Sequence, residues 1–188
     1  MNRFNISKLE LFLAAGLFVL MALTRTHYFQ WTAVIPNPSL AVFFVAGFYL
    51  RSNYGFIGFS VLAYLCDYWV LIMGGEGCFT SAYGFIFLGY FIVWAAAKWL
   101  AGVQNLYSRS GVFKIITTVL LSISTAFLIS NASFYLFSGH FSDLNLSEYV
   151  VRVVRYYPPY IFDPLSYLAI TAVIDFLVTR RANRESIQ

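Results

Sequence analysis

The chain has 188 residues, of which 60% are apolar, 20% aromatic and 11% charged, and its formal net charge is +4. Soluble globular proteins carry about 25% charged residues, so the composition excludes a soluble enzyme, a nucleic-acid-binding protein and a disordered chain. Residues 26–50, 77–97 and 115–142 contain no Asp, Glu, Lys or Arg. Each stretch can cross a bilayer core of about 30 Å, which takes roughly 20 helical residues.

Six hydrophobic segments predict six transmembrane helices in a single integral membrane domain, residues 1–188. Backbone groups in lipid must be satisfied within helices or a closed barrel, and the period-two alternation of a barrel is absent. The expected fold class is therefore all-α, a polytopic membrane protein. In chain order the predicted helices cover about 9–29, 34–50, 55–73, 80–100, 112–137 and 160–179.

The second segment is the least regular of the six. Pro36 and Pro38 interrupt its start and leave about 12 residues after Ser39 that can form an unbroken helix. A short or re-entrant second span is expected.

The basic residues predict the orientation of the bundle. With six spans, three basic residues fall on one side, Arg25, Arg152 and Arg155. The other nine fall on the side of the two termini, and cytoplasmic loops are enriched in Lys and Arg. Both termini are therefore expected in the cytoplasm. The nine are Arg3, Lys8, Arg51, Lys98, Arg109, Lys114, Arg180, Arg181 and Arg184.

The side opposite the termini carries polar and aromatic residues that orientation does not require. Both histidines and five of the eight acidic residues of the chain fall there. Such a cluster at the mouth of a helix bundle predicts a ligand pocket. The set includes Arg25, His27, Trp31, Asp67, Glu76, Cys78, Tyr83, His140, Arg152, Arg155, Tyr156, Tyr157, Tyr160 and Asp163.

Asp67 lies inside the third predicted helix, roughly 9 Å below the surface at 1.5 Å per residue. A carboxylate at that depth costs a few kcal/mol unless it has a partner or faces a cavity. Two interpretations follow, a structural ion pair with Arg25 or Arg152, or a role in shaping or contacting the ligand.

The segment 74–78 reads Gly-Gly-Glu-Gly-Cys and is the most unusual in the chain. Its glycines allow turns and a close approach of backbone to a ligand. Cys78 precedes the fourth helix, where exposed N–H groups favour a thiolate, a soft ligand for a transition metal. The alternative is that Cys78 is a small apolar loop residue. Cys66 is expected in the core, although a disulfide between Cys66 and Cys78 stays open.

The two histidines support different expectations. His27, near the outer end of the first helix, could hydrogen-bond a polar ligand, bind a metal or cap the helix. His140 lies in a loop rich in Ser and Gly and is expected to be solvated.

Residues 147–157 predict an amphipathic interfacial helix that Pro158 and Pro159 close. Arg152 and Arg155 share one face of this helix. They either anchor the helix at lipid headgroups or form a lid whose guanidinium groups reach amide or phosphate oxygens.

Ser122, Ala126 and Ser130 recur every four residues along the fifth predicted helix. Small residues at this spacing allow two membrane helices to approach closely. The stripe therefore predicts helix packing and not a binding site.

The chain resembles the solitary bacterial cobalamin transporters of the BtuM family, which are similar to the substrate-binding S-components of energy-coupling-factor vitamin transporters. The resemblance is carried by His27, Asp67, the Cys78-x-x-x-x-Tyr83 pair and an arginine before the sixth helix. Length and helix layout agree along nearly the whole chain. The resemblance implies an S-component-like bundle in the bacterial inner membrane.

The resemblance also implies a set of site residues. Cys78 would be the axial ligand of the cobalt in cobalamin. A secondary hypothesis rests on thiolate chemistry and not on the resemblance: Cys78 would be the catalytic residue that assists decyanation of cyanocobalamin, because a thiolate competes for a coordination position of cobalt. The arginine is Arg152 or Arg155, with Arg152 preferred. The residues implied to shape the pocket or contact the corrin are His27, Asp67, Tyr83 and Arg152.

Cobalamin and membrane lipid are the partners expected, and nucleic acid is not. S-components dock on an energising module through an Ala-x-x-x-Ala pattern in helix one. Here Ala14, Ala15, Gly16 and Ala22 include no pair four residues apart, which puts that partner in doubt and agrees with a solitary transporter.

Two other functions stay open. The first is binding or transport of another small vitamin, with Cys78 incidental. The second is a membrane enzyme with Cys78 as nucleophile and His27 or His140 as base.

Overall fold

The computed structural model describes residues 8–25, 37–50, 52–73, 79–142 and 144–185, and these form six α-helices and no strand. Four helices are long and apolar enough to cross a membrane, covering Tyr54–Ile72, Gly84–Ala101, Arg109–Phe137 and Leu146–Val178. The prediction of an all-α protein with membrane-spanning helices is confirmed for these four helices, and the count of six spans stays a prediction. The helices are α1 Lys8–Arg25, α2 Ser39–Tyr49, α3 Tyr54–Ile72, α4 Gly84–Ala101, α5 Arg109–Phe137 and α6 Leu146–Glu185.

The helix α2 forms the centre of the bundle. It has 11 residues, about 16 Å at 1.5 Å per residue, and residues 39–47 are all buried. A helix that is apolar on every side is stable where other helices surround it, and α2 contacts α1, α3, α4 and α6. The expected short second helix after Pro38 is confirmed, and its length is well below that of a full membrane span.

Helix α6 differs from the prediction. A separate interfacial helix closed by Pro158 and Pro159 was expected, but one helix of 40 residues runs through both prolines and through Pro164. The φ angle of proline is compatible with a helix, and the cost lies in the missing N–H and in the clash with the preceding turn. Membrane helices tolerate this cost because neighbouring groups satisfy the freed carbonyls. The segment with Arg152 and Arg155 is therefore the first part of α6.

Successive helices run in opposite directions, so the bundle has two distinct ends. At one end, which we call the Arg25 end, Arg25 of α1 contacts Ser39 at the start of α2. At the other, the Lys98 end, the Lys98 ammonium of α4 donates to the carbonyl of Leu50 after α2, at 2.6 Å. The first residue of α1 and the last of α6 fall at the Lys98 end.

Helices α4 and α5 pack closely through small residues. A Cβ placed on Gly89 of α4 would lie 3.3 Å from the Cβ of Ala126, and Ser122 and Ala126 are buried. The part of the small-residue stripe formed by Ser122 and Ala126 therefore lies at a helix contact, as predicted.

Replacing Gly47 of α2 by alanine is expected to destabilise the protein by about 1–3 kcal/mol, the usual cost of overpacking. The added Cβ would lie 2.8 Å from the backbone oxygen of Trp94 in α4. Gly16 of α1 is the matched control, because a Cβ there meets nothing within 4 Å, and alanine favours a helix by about 0.5–1 kcal/mol over glycine. Thermal unfolding in detergent measures both variants, and equal unfolding midpoints would contradict the packing of α2 against α4.

Candidate functional site

A cluster of polar side chains joins four helices at the Arg25 end. We call it the Arg25 cluster: Arg25, Ser39, Asp67, Tyr83 and Tyr90. The Nε and Nη2 atoms of Arg25 donate to the two carboxylate oxygens of Asp67, each at 2.7 Å. Its Nη1 donates to the hydroxyl of Ser39 at 2.7 Å and to that of Tyr90 at 2.8 Å. The hydroxyl of Tyr83, just before α4, donates to Oδ2 of Asp67 at 2.8 Å.

This cluster is nearly closed to solvent, and the positive charge of Arg25 neutralises the negative charge of Asp67. The side chains of Arg25 and Asp67 are 9% and 13% exposed. Every guanidinium nitrogen donates and both carboxylate oxygens accept, which offsets the loss of hydration that makes buried charges costly. Asp67 therefore has a structural partner in Arg25, one of the two partners expected for it.

The rings of Tyr64, Phe79 and Tyr83 pack together beside the Arg25 cluster, and we call them the aromatic wall. The ring of Phe79, which follows Cys78 in the chain, lies 4.4 Å from that of Tyr83 between centroids. Tyr64 of α3 contacts both rings. The wall offers apolar surface beside the Arg25 cluster, the kind of surface on which a flat ligand packs.

Arg152 lies in a second, separate group of side chains. Its guanidinium carbon is 5.0 Å from the ring centre of Phe134, 5.2 Å from that of Phe141 and 4.8 Å from that of Tyr156, within the range of cation–π attraction. Its Nε is buried and has no hydrogen-bond partner among the described residues. Arg155 is exposed and contacts the ring of Tyr156.

The structure brings together some of the predicted site residues. Asp67 and Tyr83, 16 positions apart, share a hydrogen bond. Arg152 is in the aromatic group just described and shares no hydrogen bond or ion pair with either of them in the described part of the chain. His27, Cys78 and the rest of segment 74–78 lie outside the described residues, as does Trp31.

His140 and Cys66 both lie in the surroundings that the sequence predicted for them. His140 is exposed, and its Nδ1 lies 3.1 Å from the carbonyl oxygen of Ser138, so the prediction of a solvated histidine is confirmed. Cys66 is buried in the core, also as predicted, and is not in a disulfide with any described residue.

Sequence reasoning missed Ser39 and Tyr90 as members of the Arg25 cluster. Neither carries a charge, so neither interrupts an apolar segment. One signal could have found Tyr90: it follows Tyr83 by seven residues, two helical turns, and therefore falls on the same face of the predicted fourth helix. No comparable signal marks Ser39.

Among the described ranges, no three His, Cys, Asp or Glu side chains lie close enough to hold a metal ion. Comparison of the sequence with protein-family models and with curated proteins finds no match.

Replacing Asp67 by asparagine is expected to lower the free energy of unfolding by about 3–5 kcal/mol, because it leaves the buried guanidinium of Arg25 without its counter-charge. Glu148, exposed at the same end of the bundle, is the control, and Glu148→Gln should change the stability by less than about 0.5 kcal/mol. Denaturant unfolding in detergent distinguishes the two variants. Equal small effects would show that the pair adds nothing to stability.

Proposed function

We propose that the protein takes up cobalamin across the bacterial inner membrane, as a six-span, S-component-like bundle with both termini in the cytoplasm. The corrinoid binds at the Arg25 end. The thiolate of Cys78 coordinates its cobalt from one axial face, while His27, Asp67, Tyr83 and Arg152 shape the pocket or contact the corrin.

The observation that carries the proposal is the hydrogen bond of 2.8 Å between Tyr83 and Asp67. It joins two of the residues that the resemblance implies for the pocket, one in α3 and one just before α4. Phe79, bonded to Cys78 in the chain, packs on the same tyrosine. The support is thus the hydrogen bond between Asp67 and Tyr83, together with an aromatic contact of Phe79, the residue that follows Cys78 in the chain.

Arg152 supports the proposal because three aromatic rings hold its guanidinium group, and its Nε has no hydrogen-bond partner among the described residues. Cobalamin is fringed with amide groups, whose oxygens accept hydrogen bonds from a guanidinium. Arg155 is exposed, whereas Arg152 is half-buried among rings, so Arg152 is the better candidate for the ligand-contacting arginine.

The thiolate of Cys78 also suits a ligand exchange on cyanocobalamin. A lone pair on sulfur forms the new bond to cobalt, and cyanide leaves with the electron pair of the cobalt–carbon bond. The oxidation state of cobalt does not change, and the cyanide takes a proton from water. We propose that the protein assists decyanation in this way.

The transporter works alone in this proposal, because the helix-one pattern of docking residues is absent. Copurification of a stoichiometric ATP-hydrolysing module with the full chain would contradict that part of it.

Mixing the purified protein with cyanocobalamin is expected to change the visible spectrum, as sulfur replaces cyanide at the cobalt. Cys78→Ala should abolish the change, and Cys66→Ala, which alters the other cysteine of the chain, should preserve it. An unchanged spectrum with the wild-type protein would contradict thiolate ligation. No binding of any cobalamin by calorimetry would remove the proposed function altogether.

Arg152→Gln is expected to weaken cobalamin binding by about 10- to 100-fold, the worth of a hydrogen bond from a charged group. Arg155→Gln, the exposed neighbour one turn away, should weaken it by less than threefold. Calorimetric titration with cobalamin compares the two variants. A larger loss of affinity for Arg155→Gln would show that Arg155, and not Arg152, contacts the ligand.

A further inference from the structure

A groove of about 450 Å³ runs along the membrane-facing side of α4 and α5, apart from the candidate site. Its lining extends from Trp99 and Phe113 near the Lys98 end to Thr125 deeper in the bundle. Trp99 and Phe113 are 60% and 70% exposed. Unlike the Arg25 cluster, this groove lies on the exposed surface of two helices that are long and apolar enough to cross a membrane.

The groove exists because small side chains lie between larger ones. Ala96 of α4 and Ser122 of α5 leave space that Leu121 and Phe113 do not fill. Just beyond Thr125, the close contact between Gly89 and Ala126 holds the two helices together. The depression is therefore a consequence of side-chain size along two helices in firm contact.

The wall of the groove is apolar although it contains hydroxyl groups. The hydroxyl of Ser122 donates to the carbonyl of Val119 at 3.1 Å, and that of Thr125 donates to the carbonyl of Leu121 at 2.8 Å. These hydroxyls are satisfied by the backbone of their own helix, as Ser and Thr hydroxyls in helices often are. Thr117 and Thr118 also line the groove, but most of the lining surface is apolar and suits a hydrocarbon chain.

One charged residue, Lys114, lines the groove among the described residues. It is exposed and forms no ion pair within the described part of the chain, where the recorded ion pair joins Arg25 and Asp67. Trp99 lines the groove at the same end of the bundle. Lysine and tryptophan together are typical of the level of lipid headgroups.

The length of the groove matches one leaflet. Lys114 and Thr125 are about 16 Å apart along the axis of α5. This distance is close to half the thickness of a bilayer core, which is about 15 Å. A chain that begins at the level of Lys114 therefore reaches the bilayer midplane close to Thr125.

We infer that this groove binds an anionic phospholipid, with one acyl chain along α4 and α5 and the phosphate beside Lys114. The positive charge selects the headgroup, and the apolar wall holds the chain. The site needs neither cobalamin nor Cys78, so it stands or fails independently of the proposed function.

The test is native mass spectrometry of the full chain in detergent, titrated with phosphatidylglycerol or phosphatidylcholine of identical acyl chains. The wild-type protein should bind phosphatidylglycerol about fivefold more tightly, the effect of one basic residue near an anionic lipid. Lys114→Gln should abolish this preference. The matched control is Lys8→Gln, an exposed lysine on α1 at the same end, which should keep it.

A second variant tests the acyl chain. Ala96→Leu adds three carbon atoms to the groove and should weaken the binding of both lipids by a similar factor, with no change in the unfolding midpoint. Equal affinity of the wild-type protein for the two lipids, or a preference that survives Lys114→Gln, would overturn the inference. So would a dimer of the wild-type chain that Ala96→Leu dissociates, because the groove would then hold a second copy.

Discussion

The ion pair between Arg25 and Asp67 is the interaction on which the Arg25 end of the bundle depends. A charge inside an apolar bundle is costly unless it is paired and hydrogen-bonded. Here the guanidinium satisfies both carboxylate oxygens and also reaches hydroxyls of α2 and α4. Because these partners come from four helices, separating any one helix from the others would leave a charge or a hydroxyl unpaired. The polar cluster therefore specifies how the helix ends meet.

The candidate site is built outward from this pair. Asp67 accepts a hydrogen bond from the hydroxyl of Tyr83, and the ring of Tyr83 contacts that of Phe79, so the residues just before α4 are held against α3. Arg152 differs from Arg25 in its hydrogen bonds. Arg25 uses every guanidinium nitrogen within the protein, whereas Arg152 is held by rings that leave its Nε without a partner. Arg25 thus holds helices together, whereas aromatic rings hold Arg152 in place.

The sequence allowed much of this architecture to be predicted, for physical reasons. Lipid imposes long apolar helices, so hydropathy indicated the four helices that are long and apolar enough to cross a membrane, while the count of six spans stays a prediction. The interruption at Pro38 predicted the shortness of α2. The continuity of α6 was not predictable from rules that treat Pro158 and Pro159 as helix ends, because those rules describe helices in water.

Side-chain partners were predicted only where a charge made them necessary. A buried carboxylate requires a partner, so Arg25 or Arg152 could be proposed for Asp67 from the sequence, and the structure shows Arg25 in that role. The rings around Arg152 come from α5, from the loop after it and from α6. Their meeting depends on how these segments pack, and no local pattern encodes it.

The coupling free energy between Arg25 and Asp67 tests this account most directly. It is obtained from a double-mutant cycle of Arg25→Gln and Asp67→Asn, with unfolding measured in detergent for the wild-type protein, both single variants and the double variant. The account predicts that the two changes are not additive and that the coupling is about 1–3 kcal/mol. Additive effects, with a coupling near zero, would show that the pair does not hold this end of the bundle together.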